Sequence, residues 1–171
     1  MIKEPNAPMV RNIAPYAITI FWGAFLLFLV QPLIGKFILP WFGGTPGVWT
    51  TCLLFFQCVL LAGYAYAHCL NYFLPVRKQV IVHGVLLFLV LASLPIMPSE
   101  SLKPDGSESP IVAILILLSL TIGLPYLALS ATGPLVQAWF AKAHPGFSPY
   151  RLYALSNVGS LLALVGFPFV L

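Results

Sequence analysis

The chain has 171 residues, of which 60% are hydrophobic and only 7% charged, with a mean hydropathy of +0.99. A soluble domain carries about 25% charged residues, and a water-exposed surface cannot be covered with so few. These values exclude a soluble globular protein and indicate an integral membrane protein. The net charge of +4 is spread over connecting segments, with no basic run longer than Arg77-Lys78. Such charge sets membrane topology rather than binding nucleic acid. Cys52, Cys58 and Cys69 lie in or beside an apolar run. Their odd number and unpaired spacing argue against a disulfide framework.

Met1 to Asn12 forms a polar arm containing Pro5 and Pro8. The apolar run behind it is too long for a signal-peptide core and lacks a small-residue cleavage site, so it reads as a retained first helix. Five helices follow, at about 14–39, 46–72, 79–96, 110–141 and 149–171. A spanning helix needs about 20 residues. The third is therefore the shortest candidate, and the fourth is long enough to tilt or overrun the interface. No alternating pattern of a membrane barrel competes, and an open sheet could not satisfy its backbone in lipid. The expected fold is an all-α polytopic bundle, with residues 13–171 forming one transmembrane domain.

Lys3 and Arg11, Arg77 and Lys78, and Lys142 and Arg151 mark the N-terminus and alternate connections. The first connection, Gly43-Gly44-Thr45, is uncharged, and the third carries Glu100, Asp105 and Glu108 against Lys103. The positive-inside rule then places the N-terminus in the cytoplasm, in a multi-pass protein of the inner (plasma) membrane. The final Phe167-Pro168-Phe169-Val170-Leu171 lacks a polar tail, which reads as the front part of a longer protein.

Gln31-Pro32 interrupts the first apolar run. Proline removes a backbone donor and crowds the preceding turn, so a kink or unwinding is expected near Leu27 to Pro32. The Gln31 amide then needs a partner in a neighbouring helix or a polar cavity. Lys36 lies nearer the helix end, where it can snorkel to the interface or turn inward to an anionic group. All four acids, Glu4, Glu100, Asp105 and Glu108, lie outside the expected spans. Cation carriage usually places carboxylates in the membrane, so cation or polyamine translocation by this chain alone is disfavoured.

The fourth helix carries two sequence breaks, Gly123-Leu124-Pro125 and Gly133-Pro134, with Thr121, Ser130, Thr132 and Gln137 around them. The fifth carries Ser156, Asn157 and Ser160 and the small pair Gly159/Ala163. The second has Gly63/Ala67 at the same spacing. Small residues let helices approach closely, and hydroxyls and amides bond across the contact. Close packing is one reading. The other is a polar cavity lined by Gln31, Gln57, Thr132 and Asn157. His68 and His83 fall at similar depth on antiparallel neighbours, so they are either polar anchors or a haem or metal pair. No catalytic motif of a soluble enzyme is present, and the sequence calls for no cofactor.

Three stretches resemble a known family. Phe28-Leu29-Val30-Gln31-Pro32-Leu33-Ile34-Gly35-Lys36-Phe37-Ile38-Leu39-Pro40 is followed by Val48-Trp49-Thr50-Thr51-Cys52 through Gln57, and by Ala62-Gly63-Tyr64-Ala65-Tyr66-Ala67-His68. These, with Ser148-Pro149-Tyr150-Arg151-Leu152-Tyr153-Ala154-Leu155-Ser156-Asn157-Val158-Gly159-Ser160, resemble the membrane part of spermidine-synthase-like membrane proteins. Such proteins join a major-facilitator-like module to an aminopropyltransferase-type domain. The resemblance runs from about Phe21 onward and implies a membrane module linked to polyamine biology. The catalytic domain has no counterpart in this chain, so no catalytic residue carries over.

The leading expectation is an accessory or assembly subunit packing against partner membrane helices or a second copy. The alternatives are a half-module of a transporter or small-ligand-binding protein, and a membrane anchor for a synthase domain on another chain. The expected contact residues are Gln31, Lys36, Gln57, Thr132 and Asn157.

Overall fold

The computed structural model describes residues 12–95, 103, 109–148 and 150–170. The N-terminal arm up to Arg11 and the acidic residues of the third connection lie outside the described residues. The described chain is helical, without strands: α1 (Ala14–Phe42), α2 (Pro46–Phe73), α3 (Val76–Ala92), α4 (Pro110–Leu118), α5 (Leu124–Ala143) and α6 (Tyr150–Val170). A five-residue π-helical segment, Ser119–Gly123, joins α4 to α5. Four stretches are long and apolar enough to cross a membrane: α1, α2, the continuous Pro110–Ala143 and most of α6. The fold is thus the expected all-α membrane bundle. α3, at 17 residues, reaches only the lower limit of spanning length.

Pro32 and Pro40 both sit inside α1, which stays helical from Ala14 to Phe42. Of the kink or unwinding expected near Gln31-Pro32, the unwinding does not occur, because one lost hydrogen bond is outweighed by the rest of the ladder in a medium without competing water. α1 passes the expected end at Leu39 and stops at Gly43, whose φ of 77° closes the helix through its N–H to the Leu39 carbonyl at 2.8 Å. That backbone conformation favours glycine.

The Gly123-Pro125 break takes a different form. Pro125 crowds the carbonyl four residues earlier, and widening the turn to a π segment relieves the clash. Hydroxyls take up local carbonyls beside it, Ser119 Oγ to Leu115 at 2.7 Å and Thr121 Oγ1 to Leu117 at 2.6 Å. Gly133-Pro134, by contrast, lies within unbroken α5. α3 runs three residues earlier than expected and ends at Ala92. Pro95 disfavours a helical residue before it, and the Ser93 hydroxyl bonds the Val90 carbonyl at 2.7 Å.

α1 packs most extensively on α6 and then on α5, while α2 packs on α5 and α4. α3 touches mainly α5. Its outer face, including Ile81, Val85, Phe88 and Leu91, is exposed, as suits a surface solvated by lipid. The main apolar core joins α1, α2, α4, the π segment and the start of α5 through Ile34, Ile38, Phe55, Phe56, Leu118, Ile122 and Tyr126. Two smaller clusters lie at the other end, around Ile20, Phe140 and Leu152, and around Ala67, Leu70 and Leu135.

Both small-residue pairs mark close helix crossings. A Cβ on Gly159 would stand 2.7 Å from the Phe21 carbonyl oxygen of α1, and Ala163 is fully buried. A Cβ on Gly63 would collide with the Ser130 side chain and lie 3.1 Å from the Leu127 carbonyl of α5. Backbones this near need glycine.

Candidate functional site: a polar groove in the bundle

The basic ends of the helices meet. Lys142 Nζ at the end of α5 donates to Asn71 Oδ1 at the end of α2, and Tyr16 at the start of α1 stacks edge-on against Phe140 and His144. Arg77, Lys78, Lys142 and Arg151 therefore share one end of the bundle. Toward that end, a groove of about 500 Å³ opens between α1, α2, α5 and α6. Its α1 wall is apolar and small, with Gly23, Ala24 and Phe28. α5 contributes Ser130, Gly133, Pro134 and Gln137, and α6 contributes Tyr153, Ser156, Asn157 and Ser160. Tyr64 closes the α2 side. Among the described residues, no charged side chain lines the groove.

The α6 set falls at i, i+3, i+4 and i+7, which places it on one helix face. Two hydroxyls are partly occupied: Ser160 donates to the Ser156 carbonyl at 3.0 Å, and Ser130 to the Leu127 carbonyl at 2.8 Å. Their oxygens still accept. Proline adds further acceptors. Pro32 and Pro134 cannot donate to the carbonyls of Phe28 and Ser130, four residues back, and both of those residues line the groove. The site thus offers amides, hydroxyls and underused carbonyls without formal charge. It suits an uncharged molecule that both donates and accepts hydrogen bonds.

Of the five expected contact residues, only Asn157 reaches this groove. Gln31 Nε2 instead donates to the Tyr126 hydroxyl at 2.8 Å, a cross-helix bond of the packing kind. Tyr126 is 1% exposed and lies against Phe56 with ring centroids 4.9 Å apart. Lys36 and Gln57 lie on exposed faces of α1 and α2. Thr132 belongs to a different polar chain: its hydroxyl donates to the Ala128 carbonyl at 2.7 Å and accepts from His83 Nε2 at 3.0 Å. The expected cavity of Gln31, Gln57, Thr132 and Asn157 is not assembled, because these residues point from their helices in different directions. The groove's actual polar members, Ser130, Gln137, Ser156 and Ser160, were legible as hydroxyls and amides beside a Gly-Pro step and along one α6 stripe.

His68 and His83 do not meet. His68 is exposed and stacks on Tyr72, whereas Tyr66, two residues earlier, turns inward to His83 at a centroid separation of 6.1 Å. No group of three metal-ligating side chains occurs among the described residues. His83 belongs to the seam that holds α3 on α5, with Gln79. Gln79 is fully buried, donates to the Leu74 carbonyl at 2.7 Å and accepts from Trp139 Nε1 at 2.7 Å.

The Tyr66 hydroxyl and His83 Nδ1 are buried in this seam with no hydrogen-bond partner. Deleting an unmatched buried polar group is neutral or stabilising, whereas deleting one member of a matched pair costs stability. Tyr66→Phe should therefore leave stability unchanged or raise it by up to about 1 kcal/mol. Thr132→Val should lower it by about 0.6 kcal/mol, the usual worth of a hydrogen bond between membrane helices. Unfolding in mixed micelles, followed by tryptophan fluorescence, reads both.

No protein-family model, curated protein or solved structure matches the chain.

Proposed function

We propose that the chain is a small-ligand-binding half-module of a multi-pass inner (plasma) membrane protein, with its basic end in the cytoplasm. Its ligand is small, polar and uncharged, and it binds in the groove between α1, α2, α5 and α6. A second helical bundle, from another chain or another copy, closes the open side. The observation that carries this reading is the groove itself. Its volume of about 500 Å³ falls in the range of small-molecule sites. Its convergent polar groups would be costly against lipid tails.

The accessory-subunit reading keeps one specific support. Gln57 is exposed on a spanning helix, where an amide facing lipid is costly and a partner helix would satisfy it. The relation to spermidine-synthase-like membrane modules is compatible with either reading and rests on the sequence stretches alone.

Cysteine accessibility separates the readings. With Cys52, Cys58 and Cys69 replaced by alanine, single cysteines are placed at Ser156 and Ser160 in the groove, and at Val158 and Leu161 on the outer face of α6. The thiolate is the reactive form, and apolar surroundings keep the thiol protonated. A hydrated groove should make the Ser156→Cys and Ser160→Cys variants react with a small hydrophilic thiosulfonate ~10-fold or more faster than the outer pair, as one unit of thiol ionisation shift implies. Equal, slow labelling at all four positions would sink the ligand reading and favour a groove filled by a partner helix.

A further inference from the structure

A second groove, of about 300 Å³, runs between the start of α1 and α3, with α5 as its floor. α3 contributes Val80, His83, Gly84 and Leu87, which fall at i, i+3, i+4 and i+7 on one helix face. They span about 10 Å along the helix axis. Pro15, Tyr16 and Thr19 of α1 form the opposite wall, over Val136 and Trp139 of α5.

Most of the polar groups that line this groove are engaged within the protein. Thr19 Oγ1 donates to the Pro15 carbonyl at 2.8 Å, and Trp139 Nε1 is held by Gln79 at 2.7 Å. Thr132 and His83 Nε2 are bonded to each other, and the remaining His83 nitrogen is buried. The groove therefore presents hydrocarbon, aromatic faces and the bare backbone of Gly84. It contrasts with the first groove, whose amides and hydroxyls face the opening.

The mouth of the second groove is basic. Arg77 precedes Val80 by three residues and Gly84 by seven, so it continues the groove-facing stripe by one turn at the basic end of the bundle. Arg77 is exposed. Lys142 lies three residues beyond Trp139 on α5 and donates to the neutral Asn71 amide. No acid is present among the described residues. An apolar slot below a guanidinium and an ammonium, with no acid near them among the described residues, matches one kind of bilayer component.

We infer that the groove between α1 and α3 is a binding site for one anionic phospholipid. An acyl chain lies along Gly84 and Leu87 over Val136, and the headgroup phosphate meets Arg77, with Lys142 adding charge. A guanidinium suits this role because its planar donors match phosphate oxygens two at a time. The bound lipid fills the space that α1 and α3 leave over α5, and so ties the loosely packed α3 to the bundle.

The test is native mass spectrometry of the full chain. The protein is delipidated in detergent and offered equal amounts of phosphatidylglycerol and phosphatidylcholine with identical acyl chains. One phosphatidylglycerol per chain should be retained, in ~10-fold or greater preference, as one to two basic contacts provide. Arg77→Gln should abolish most of that preference while total lipid retention persists. Gly84→Leu should reduce retention of both lipids. A Cβ there meets nothing within 4 Å, so the variant fills the groove without disturbing the fold, which its helical circular dichroism checks. Equal retention of the two lipids in the native chain would overturn the proposal. So would undiminished preference in Arg77→Gln, or retention unaffected by Gly84→Leu. Displacement of the lipid by glycerol phosphate at equal concentration would show a headgroup anion site with no role for the acyl chain, and would overturn it as well.

Discussion

Gly159→Val should separate α6 from α1 and lower the stability of the bundle by about 1–3 kcal/mol, the usual cost of overpacking a close contact. A Cβ at Gly159 would stand 2.7 Å from a backbone oxygen of α1, the Phe21 carbonyl. Backbone cannot swing aside as a side-chain tip can, so the whole crossing must open. Ala163, fully buried one turn later, would lose its contact together with Gly159. The crossing also holds the α6 polar stripe over the groove, so the same substitution should impair whatever the groove binds. Gly166 provides the control, because a Cβ there meets nothing within 4 Å. Gly166→Ala should be neutral, or stabilising by up to about 1 kcal/mol through helix propensity. Denaturant titration in mixed micelles measures both. Equal effects at the two glycines would show that the α1–α6 crossing is not as close as described.

Tyr126→Ala should be as damaging or worse, at about 3–5 kcal/mol, as for other large aromatic truncations in a core. The ring is 1% exposed, belongs to the cluster that joins α1, α2 and α4, and lies against Phe56. Its hydroxyl accepts the Gln31 amide at 2.8 Å. Tyr126→Phe isolates that polar part and should cost about 0.6 kcal/mol, and no more than about 1.7. A double-mutant cycle with Gln31→Leu should return most of this as coupling. Absence of coupling would mean that Gln31 serves another partner, and would reopen the case for it as a ligand contact.

The fate of Gln31 illustrates what the residues alone could settle. A glutamine beside a proline in an apolar run must find a partner, and it does. Which partner it finds depends on how α1 is rotated about its axis. In water that rotation can be read from the apolar stripe. In lipid it cannot, because a helix in a bundle is apolar all round: one face meets protein, the other meets hydrocarbon, and both favour the same side chains. For the same reason Thr132 and Asn157, both singled out by residue type, lie at different grooves. Tyr66 rather than His68 faces His83, although all three are polar aromatic residues near the same end. The small-residue pairs were more informative. Gly63/Ala67 and Gly159/Ala163 lie at the α2–α5 and α1–α6 crossings because only residues without bulk permit such approach.

Prolines carried intermediate information. Each one announced a disturbed backbone, but the response varied: a π segment before Pro125, and an uninterrupted helix through Pro32 and Pro134. The response depends on the packing around each turn, which composition does not encode.

Residue order alone was enough to read an all-helical membrane protein, the approximate positions of its helices, and one end marked by Arg77, Lys78, Lys142 and Arg151. Those properties follow from transfer free energies summed along each segment, and they need no knowledge of neighbours. The tertiary structure alone decided that the polar face of α6 meets the Gly-Pro step of α5 across an uncharged groove. It also decided that α1 and α3 stand apart over α5 below Arg77. Both depend on helix rotation and contact distance, which in lipid are set by the fit of one surface to another and not by the apolarity of either.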